Sequence, residues 1–322
     1  MRVSSKILLI ILFILGFLRS GAQNESPLLP FFNPLTLNPA FAGLDKISSF
    51  RTGNQISPAD SSSFYNLFYA TYDTYSDKLK GGVGFVFQQG IVGSINLSTT
   101  EFGIMYAGLP RKTKNGSIRF GLNANFQMAT KQWTVAILDG IMLDSYSVTN
   151  PPGVNFFRSV SFKPRISFLW ELPDLYWGIA VGTSLDKYYF DRDNQNKNMP
   201  FRTSLYLSKH WEGYRKGLHS LPYNLNTELL LFYSSASMLG RLKIQTDLRD
   251  NSLGVFLNAD SKTKLYSIGG IGGFAKNNLR LNLAAGAGYS ASSQKIGFTG
   301  EISLILKVKQ YDYSKINPWQ PQ

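Results

Sequence analysis

The chain has 322 residues, no cysteine, a formal net charge of +13, charged residues at 16% and aromatic residues at 14%. Without cysteine, disulfides, thiolate nucleophiles and thiolate metal sites are excluded together. The charged fraction is below the roughly 25% of a typical soluble domain, and the mean hydropathy of −0.10 argues against any long apolar helix downstream of the N-terminus.

Residues 1–22 read as a secretory signal peptide. Arg2 and Lys6 form a basic start, residues 7–18 an apolar stretch, and Ser20, Gly21 and Ala22 a small-residue cleavage site. The apolar stretch is shorter than the ~20 residues that a spanning helix needs. Cleavage would leave a chain beginning at Gln23 that is still strongly basic after the loss of Arg2, Lys6 and Arg19. Such a balance fits nucleic acid, an anionic membrane surface or an acidic partner. Export and the scattering of the basic residues along the chain argue against nucleic acid.

Residues 23–45 form an arm. It carries two Asn-Pro steps, Asn33-Pro34 and Asn38-Pro39, and each proline removes a backbone donor and restricts the asparagine before it. Leu35 and Leu37 lie between the prolines, and Ala40, Phe41 and Ala42 follow before Gly43, so a stiffened backbone presents a row of apolar side chains. A segment of this kind wants a surface, either the rest of the fold or a partner.

The run Asn38, Pro39, Ala40, Phe41, Ala42, Gly43 resembles, residue by residue, the N-terminal signature of the PorP/SprF family, with Phe41 where tyrosine is common. Members of that family are outer-membrane proteins associated with the type IX secretion system of Bacteroidetes. The resemblance implies an outer-membrane location and work with that system: binding, anchoring or helping to export an adhesin-like polypeptide at the cell surface, or contact with its periplasmic components. The residues it points to for partner binding are Asn33, Pro34, Asn38, Pro39, Ala40, Phe41, Ala42 and Gly43.

Residues 46–309 read as a transmembrane antiparallel β-barrel of about 14 strands, all-β, with the arm on its periplasmic side. The alternation is clearest at residues 118–128. There Ile118, Phe120, Leu122, Ala124, Phe126 and Met128 share one face, and Arg119, Gly121, Asn123, Asn125 and Gln127 share the other. The same pattern recurs at 162–172, 175–186, 279–289 and 296–308, and less cleanly at 83–89, 102–108, 201–209, 223–233, 238–248 and 253–259. Residues 47–55, 64–75 and 265–274 are extended in character but ambiguous in facing. A soluble two-sheet sandwich is the alternative, but its outer parity should be rich in charge, whereas here that parity is full of Gly, Ala, Ser and Asn. With the N-terminus in the periplasm, the long connections at 131–158 and 187–199 point outward. The long connection at 211–221 breaks the rule by falling on the inner side. Residues 310–322 are expected to form a periplasmic tail.

Enzymatic chemistry finds little support. There are two histidines: His210, on the same strand face as Ser208, and His219 in a turn. A Ser-x-His pair without an assignable third group does not make a triad. The glycines of 270–273 lack a βαβ context for dinucleotide binding, and Asp191 to Asn194 lacks the ligand spacing of a calcium loop. No cofactor, metal site or enzymatic activity is expected.

The parity assigned to the lumen carries Glu101, Arg119, Lys163, Arg165, Glu171, Asp186, Arg202, Glu228, Arg241, Lys243, Asp247, Arg280 and Glu301, which are expected to pair with one another. A passive diffusion channel, porin-like, is the alternative function if neither loops nor the arm fill the lumen.

Overall fold

The computed structural model describes residues 32–58, 64–92, 97–133, 155–188, 201–214, 222–234, 237–248, 250–261, 264–291 and 294–308. The signal peptide, the tail, His219 and the loop of Asp191 lie outside them. The strands are β1 (Ser48–Pro58), β2 (Phe64–Ser76), β3 (Gly81–Val92), β4 (Leu97–Gly108), β5 (Arg111–Thr113), β6 (Gly116–Trp133), β7 (Asn155–Glu171) and β8 (Leu175–Thr183). They continue with β9 (Leu185–Tyr188), β10 (Phe201–Tyr214), β11 (Pro222–Ser234), β12 (Ser237–Leu248), β13 (Asn251–Asp260), β14 (Leu265–Lys276), β15 (Leu279–Ser290) and β16 (Lys295–Val308).

Neighbouring staves pair antiparallel in chain order, and β1 closes the sheet against β16, with Ser48 opposite Val308. The result is a closed barrel of 14 strands, with β5 as a short outside strand folded back on β6. Strand β9 continues the line of β8 along β7, after a break at Ser184 where Pro164 of β7 offers no backbone donor. Closure leaves no unpaired edge, which is the condition for a sheet to sit in lipid. The 14 runs expected from the sequence are the 14 staves. A sandwich is excluded.

The two parities divide two environments. Outward positions carry exposed Phe50, Phe68, Phe85, Phe102, Ile104, Phe120, Leu122, Phe126, Ile166, Leu253 and Leu283, with Phe102 stacked on Phe126 at 5.8 Å between ring centroids. Inward positions carry buried Ser49, Arg51, Gln55, Asp73, Gln88, Thr99, Asn123, Ser161, Lys163, Lys243, Asn282 and Glu301. The three runs with ambiguous facing resolve in the same way. In β2, Phe64, Phe68 and Tyr72 face out, while Leu67, Tyr69, Thr71 and Asp73 face in.

Both described ends of the barrel chain, Ser48 and Val308, lie at one mouth, together with the short turns β2–β3, β7–β8, β12–β13 and β14–β15. The long connections from Trp133 to Asn155 and from Tyr188 to Phe201 leave from the other mouth. Short turns mark the periplasmic side and long loops the outer side. The connection between β10 and β11 does fall at the periplasmic mouth, but β10 extends to Tyr214 and shortens it. The hairpin formed by β5 adds a second periplasmic projection that the sequence did not signal.

Candidate functional site

The described part of the arm does not lie beneath the barrel. From Phe32 to Leu44 it runs inside the lumen, where it forms a plug. Its local shape follows from its sequence. Pro34 opens a one-turn helix, α1 (Pro34–Leu37), and Pro39 opens a 3-10 turn (Pro39–Phe41), each occupying the first-turn position where a missing N–H costs nothing. Asn38 links the two: its Oδ1 accepts from the Ala40 N–H at 2.8 Å, and its Nδ2 donates to the Phe168 carbonyl of β7 at 2.9 Å. Gly43 then takes φ +60°, a left-handed conformation that suits glycine, and turns the chain toward the periplasmic mouth.

The wall holds this segment at many points. Thr71 Oγ1 donates to Asn33 Oδ1 (2.9 Å), Arg165 Nη1 to the Thr36 carbonyl (2.9 Å), and Ser204 Oγ to the Leu37 carbonyl (3.0 Å). Arg119 Nη2 donates to the Ala42 carbonyl (2.9 Å), and the Gly43 N–H donates to Asp73 Oδ2 (2.8 Å). Asp73 is also paired with Arg51 at 2.5 Å, both side chains being nearly buried. At the mouth, Lys307 Nζ reaches Asp45 Oδ2 at 2.7 Å.

Where the plug backbone comes closest, the wall has glycine. A Cβ on Gly82 would overlap the Ala42 carbonyl, one on Gly121 would overlap Ala40 N, and one on Gly178 would sit 2.6 Å from Asn38 Nδ2.

Apolar contact supplies the rest. Phe32, Leu35, Leu37, Ala40, Phe41 and Ala42 form one buried cluster with wall residues Val86, Met105, Leu169, Tyr206 and Leu230, among others. Phe41 meets Tyr206 edge to face, with centroids 5.3 Å apart. These wall residues interrupt an otherwise polar parity, and that was the sequence signal for a lumen plug. Leu169, between Ser167 and Glu171 on the inward face of β7, is the clearest instance.

The eight residues singled out for partner contact therefore all lie in the plug. Asn33, Asn38, Pro39, Ala40, Phe41, Ala42 and Gly43 are buried and Pro34 is half-buried, so in this state they meet the barrel wall.

Several of the lumen charges pair with one another, as expected. Lys163 Nζ lies 2.8 Å from Glu101 Oε2, Lys243 Nζ 2.8 Å from Glu228 Oε1, and Arg280 Nη2 2.9 Å from Asp247 Oδ1. Ser117 Oγ donates to Glu171 (2.8 Å), and Tyr69 donates its hydroxyl to Glu301 (2.7 Å). The side chain of Asp186 is outside the described set. His210 Nδ1 is engaged by Asn226 Oδ1 in a short contact, and Asn226 Nδ2 in turn donates to Asp247.

Above the plug, on the outer side, a cavity of about 100 Å³ is floored by Leu35, Thr36 and Leu37. Below it a second space is lined by Phe32, Glu228, Lys243, Asp247 and Arg280. The plug separates the two.

Solved structures with a similar course include CdiB from Acinetobacter baumannii, at 8% identity and TM-score 0.47, over 81% of this chain and 60% of that one. They also include the Acinetobacter baumannii outer membrane protein Omp33, at 10% identity and TM-score 0.42, over 82% and 99%. The Pseudomonas putida toluene transporter TodX matches at 11% identity and TM-score 0.45, over 89% and 94%. A search of curated proteins gives no match. The sequence model described as type IX secretion system membrane protein PorP/SprF matches residues 27–306, a span that takes in the plug and nearly all of the barrel. With a closed cylinder that is apolar outside and polar inside, this match places the protein in the outer membrane, as a member of the PorP/SprF family of type IX secretion system membrane proteins.

Proposed function

We propose that this protein anchors a secreted, adhesin-like polypeptide at the cell surface and does not act as an open channel. The observation that supports this reading most is the plug. A passive pore needs an unobstructed lumen, whereas here the arm crosses the lumen and is bonded to β2, β6, β7 and β10. A barrel crossed by a plug, with a cavity lined by Glu101, Lys163, Arg165 and Arg202 on the outer side of that plug, is built to receive something from the surface. Family membership makes a type IX client or a periplasmic component of that system the partner to test.

In this reading the partner-binding role of Asn33, Pro34 and residues 38–43 is exercised through the plug, which sets the floor of the outer cavity. Co-purification of crosslinked partners from native membranes tests it. Wild-type barrel should retain a secreted polypeptide. The combined variant Asn38→Ala, Pro39→Ala, Phe41→Ala should lose it while still migrating as a folded barrel. Equal recovery from both would refute the role of the plug, and no partner from wild type would refute the anchor.

A further inference from the structure

The geometry points to a carboxylate-binding notch in the outer cavity, formed by Arg165 and Arg202 with Gly182 between them, that takes an acidic group of an extended polypeptide. Arg165 of β7 pairs in register with Gly182 of β8, and Gly182 pairs in register with Arg202 of β10. The two arginines thus stand in one row across three strands, on the lumen face, with a residue that has no side chain between them. A side chain at that position is shut out, because a Cβ on Gly182 would lie 2.7 Å from the Pro164 carbonyl and 3.2 Å from Arg165 Cβ. The row therefore has no side chain between its two arginines, and all three residues line the outer cavity. The rigid donor fork of a guanidinium matches a carboxylate.

The local charge is out of balance. Among the described residues, Lys163, Arg165 and Arg202 line the cavity against a single carboxylate, Glu101. Glu101 is already engaged, by Lys163 Nζ at 2.8 Å and by Asn125 Nδ2 at 2.6 Å. Arg165 spends one donor on the Thr36 carbonyl, and Arg202 has no hydrogen bond or ion pair among the described residues. Elsewhere in the lumen Arg51, Lys243 and Arg280 each have a carboxylate partner. Two like charges held in one confined row repel, and an anion placed between them removes that cost.

On the same wall Asn123 Oδ1 is buried without a hydrogen-bond partner, an acceptor available to a peptide N–H. The volume of about 100 Å³ suits a side-chain-sized group and not a folded domain. Among the described residues the plug bars the periplasmic side and leaves the outer mouth as the way in, so the ligand is a segment presented from the surface. This inference rests on the anchoring role proposed above.

The test uses the full chain in detergent and N-terminally rhodamine-labelled peptides, read by fluorescence anisotropy. Amidated hexaglutamate should bind saturably and amidated hexaglutamine should not. Hexaglutamine with a free C-terminus reports whether a terminal carboxylate alone suffices. The double variant Arg165→Gln, Arg202→Gln should weaken hexaglutamate binding at least tenfold. Lys112→Gln, on the exposed strand β5, should leave it unchanged. Arg202→Gln alone removes no hydrogen bond or ion pair among the described residues and should weaken binding severalfold, which guards against a folding defect in the double variant. Heat-modifiable migration on gels reports folding. Absence of saturable binding by every carboxylate peptide, equal binding by the arginine variants, or an equal loss with Lys112→Gln would overturn the notch. Failure here with retained co-purification of the native partner would remove the notch and leave the anchor standing.

Discussion

Gly82→Ala is the sharpest probe of plug docking. Gly82 lies in β3, held in register by Tyr75 of β2 and Ala107 of β4, so the wall cannot retreat without breaking the barrel. The added methyl would occupy the position of the Ala42 carbonyl, and the plug must move instead. Two hydrogen bonds are anchored at that point, from Arg119 Nη2 to Ala42 and from Gly43 N–H to Asp73, and each involves a charged group. Bonds of that kind are worth about 1.5–3 kcal/mol, so losing both costs the docked state about 3–6 kcal/mol. At ~1.4 kcal/mol per tenfold, undocking becomes roughly 10² to 10⁴ times more frequent.

The native chain lacks cysteine, so Leu37→Cys supplies a unique thiol at a position only 5% exposed. Its own cost is common to both backgrounds and cancels in their ratio. Labelling by a bulky, membrane-impermeant maleimide should be slow in Leu37→Cys alone and faster by that factor when Gly82→Ala is added. Equal rates in the two backgrounds would refute the docking geometry.

Phe41→Ala should destabilise the plugged protein by about 3–5 kcal/mol, as expected for a large buried side chain lost from a packed site; urea unfolding in detergent measures it, and a change below about 1 kcal/mol would contradict the packing against Tyr206. Arg51→Met should cost about 3–5 kcal/mol by stranding buried Asp73. Restoration by the double variant Arg51→Met, Asp73→Asn separates that charge effect from lost packing, although Gly43 would keep only a neutral acceptor. Phe102→Arg, on the outward face of β4, should cost about 2–4 kcal/mol when unfolding is measured from lipid vesicles, and a near-zero cost would mean that this face does not meet lipid.

The barrel was legible in the sequence because its strands separate two solvents. Where the inside is watery and the outside is lipid, as around Phe120 and Leu122 opposite Asn123 and Asn125, the period of two is plain. It blurs where the inside is itself apolar. Leu67 and Tyr69 of β2 are buried against the interior, so both parities of that strand read as hydrophobic and its facing could not be assigned from sequence.

The location of the arm was not legible from the arm alone. A proline-stiffened apolar segment fits any apolar surface, and only the interruptions of the polar parity at Val86, Met105, Leu169, Tyr206 and Leu230 say that the surface is the lumen. Charge pairing was foreseeable in kind and not in detail. Glu228 and Lys243 are register neighbours on adjacent strands, whereas Arg280 reaches Asp247 from β15 to β12, a contact fixed by the curvature of the closed sheet. The unusual row of Arg165, Gly182 and Arg202 likewise emerges only once three strands are in register.

Conductance across a planar lipid bilayer tests the closed lumen most directly. The full mature chain should insert without steady current steps, and a chain lacking residues 23–45 should give stable open steps under the same voltage and salt. Steady current of the same size from both would contradict the plug and return the protein to the class of diffusion channels.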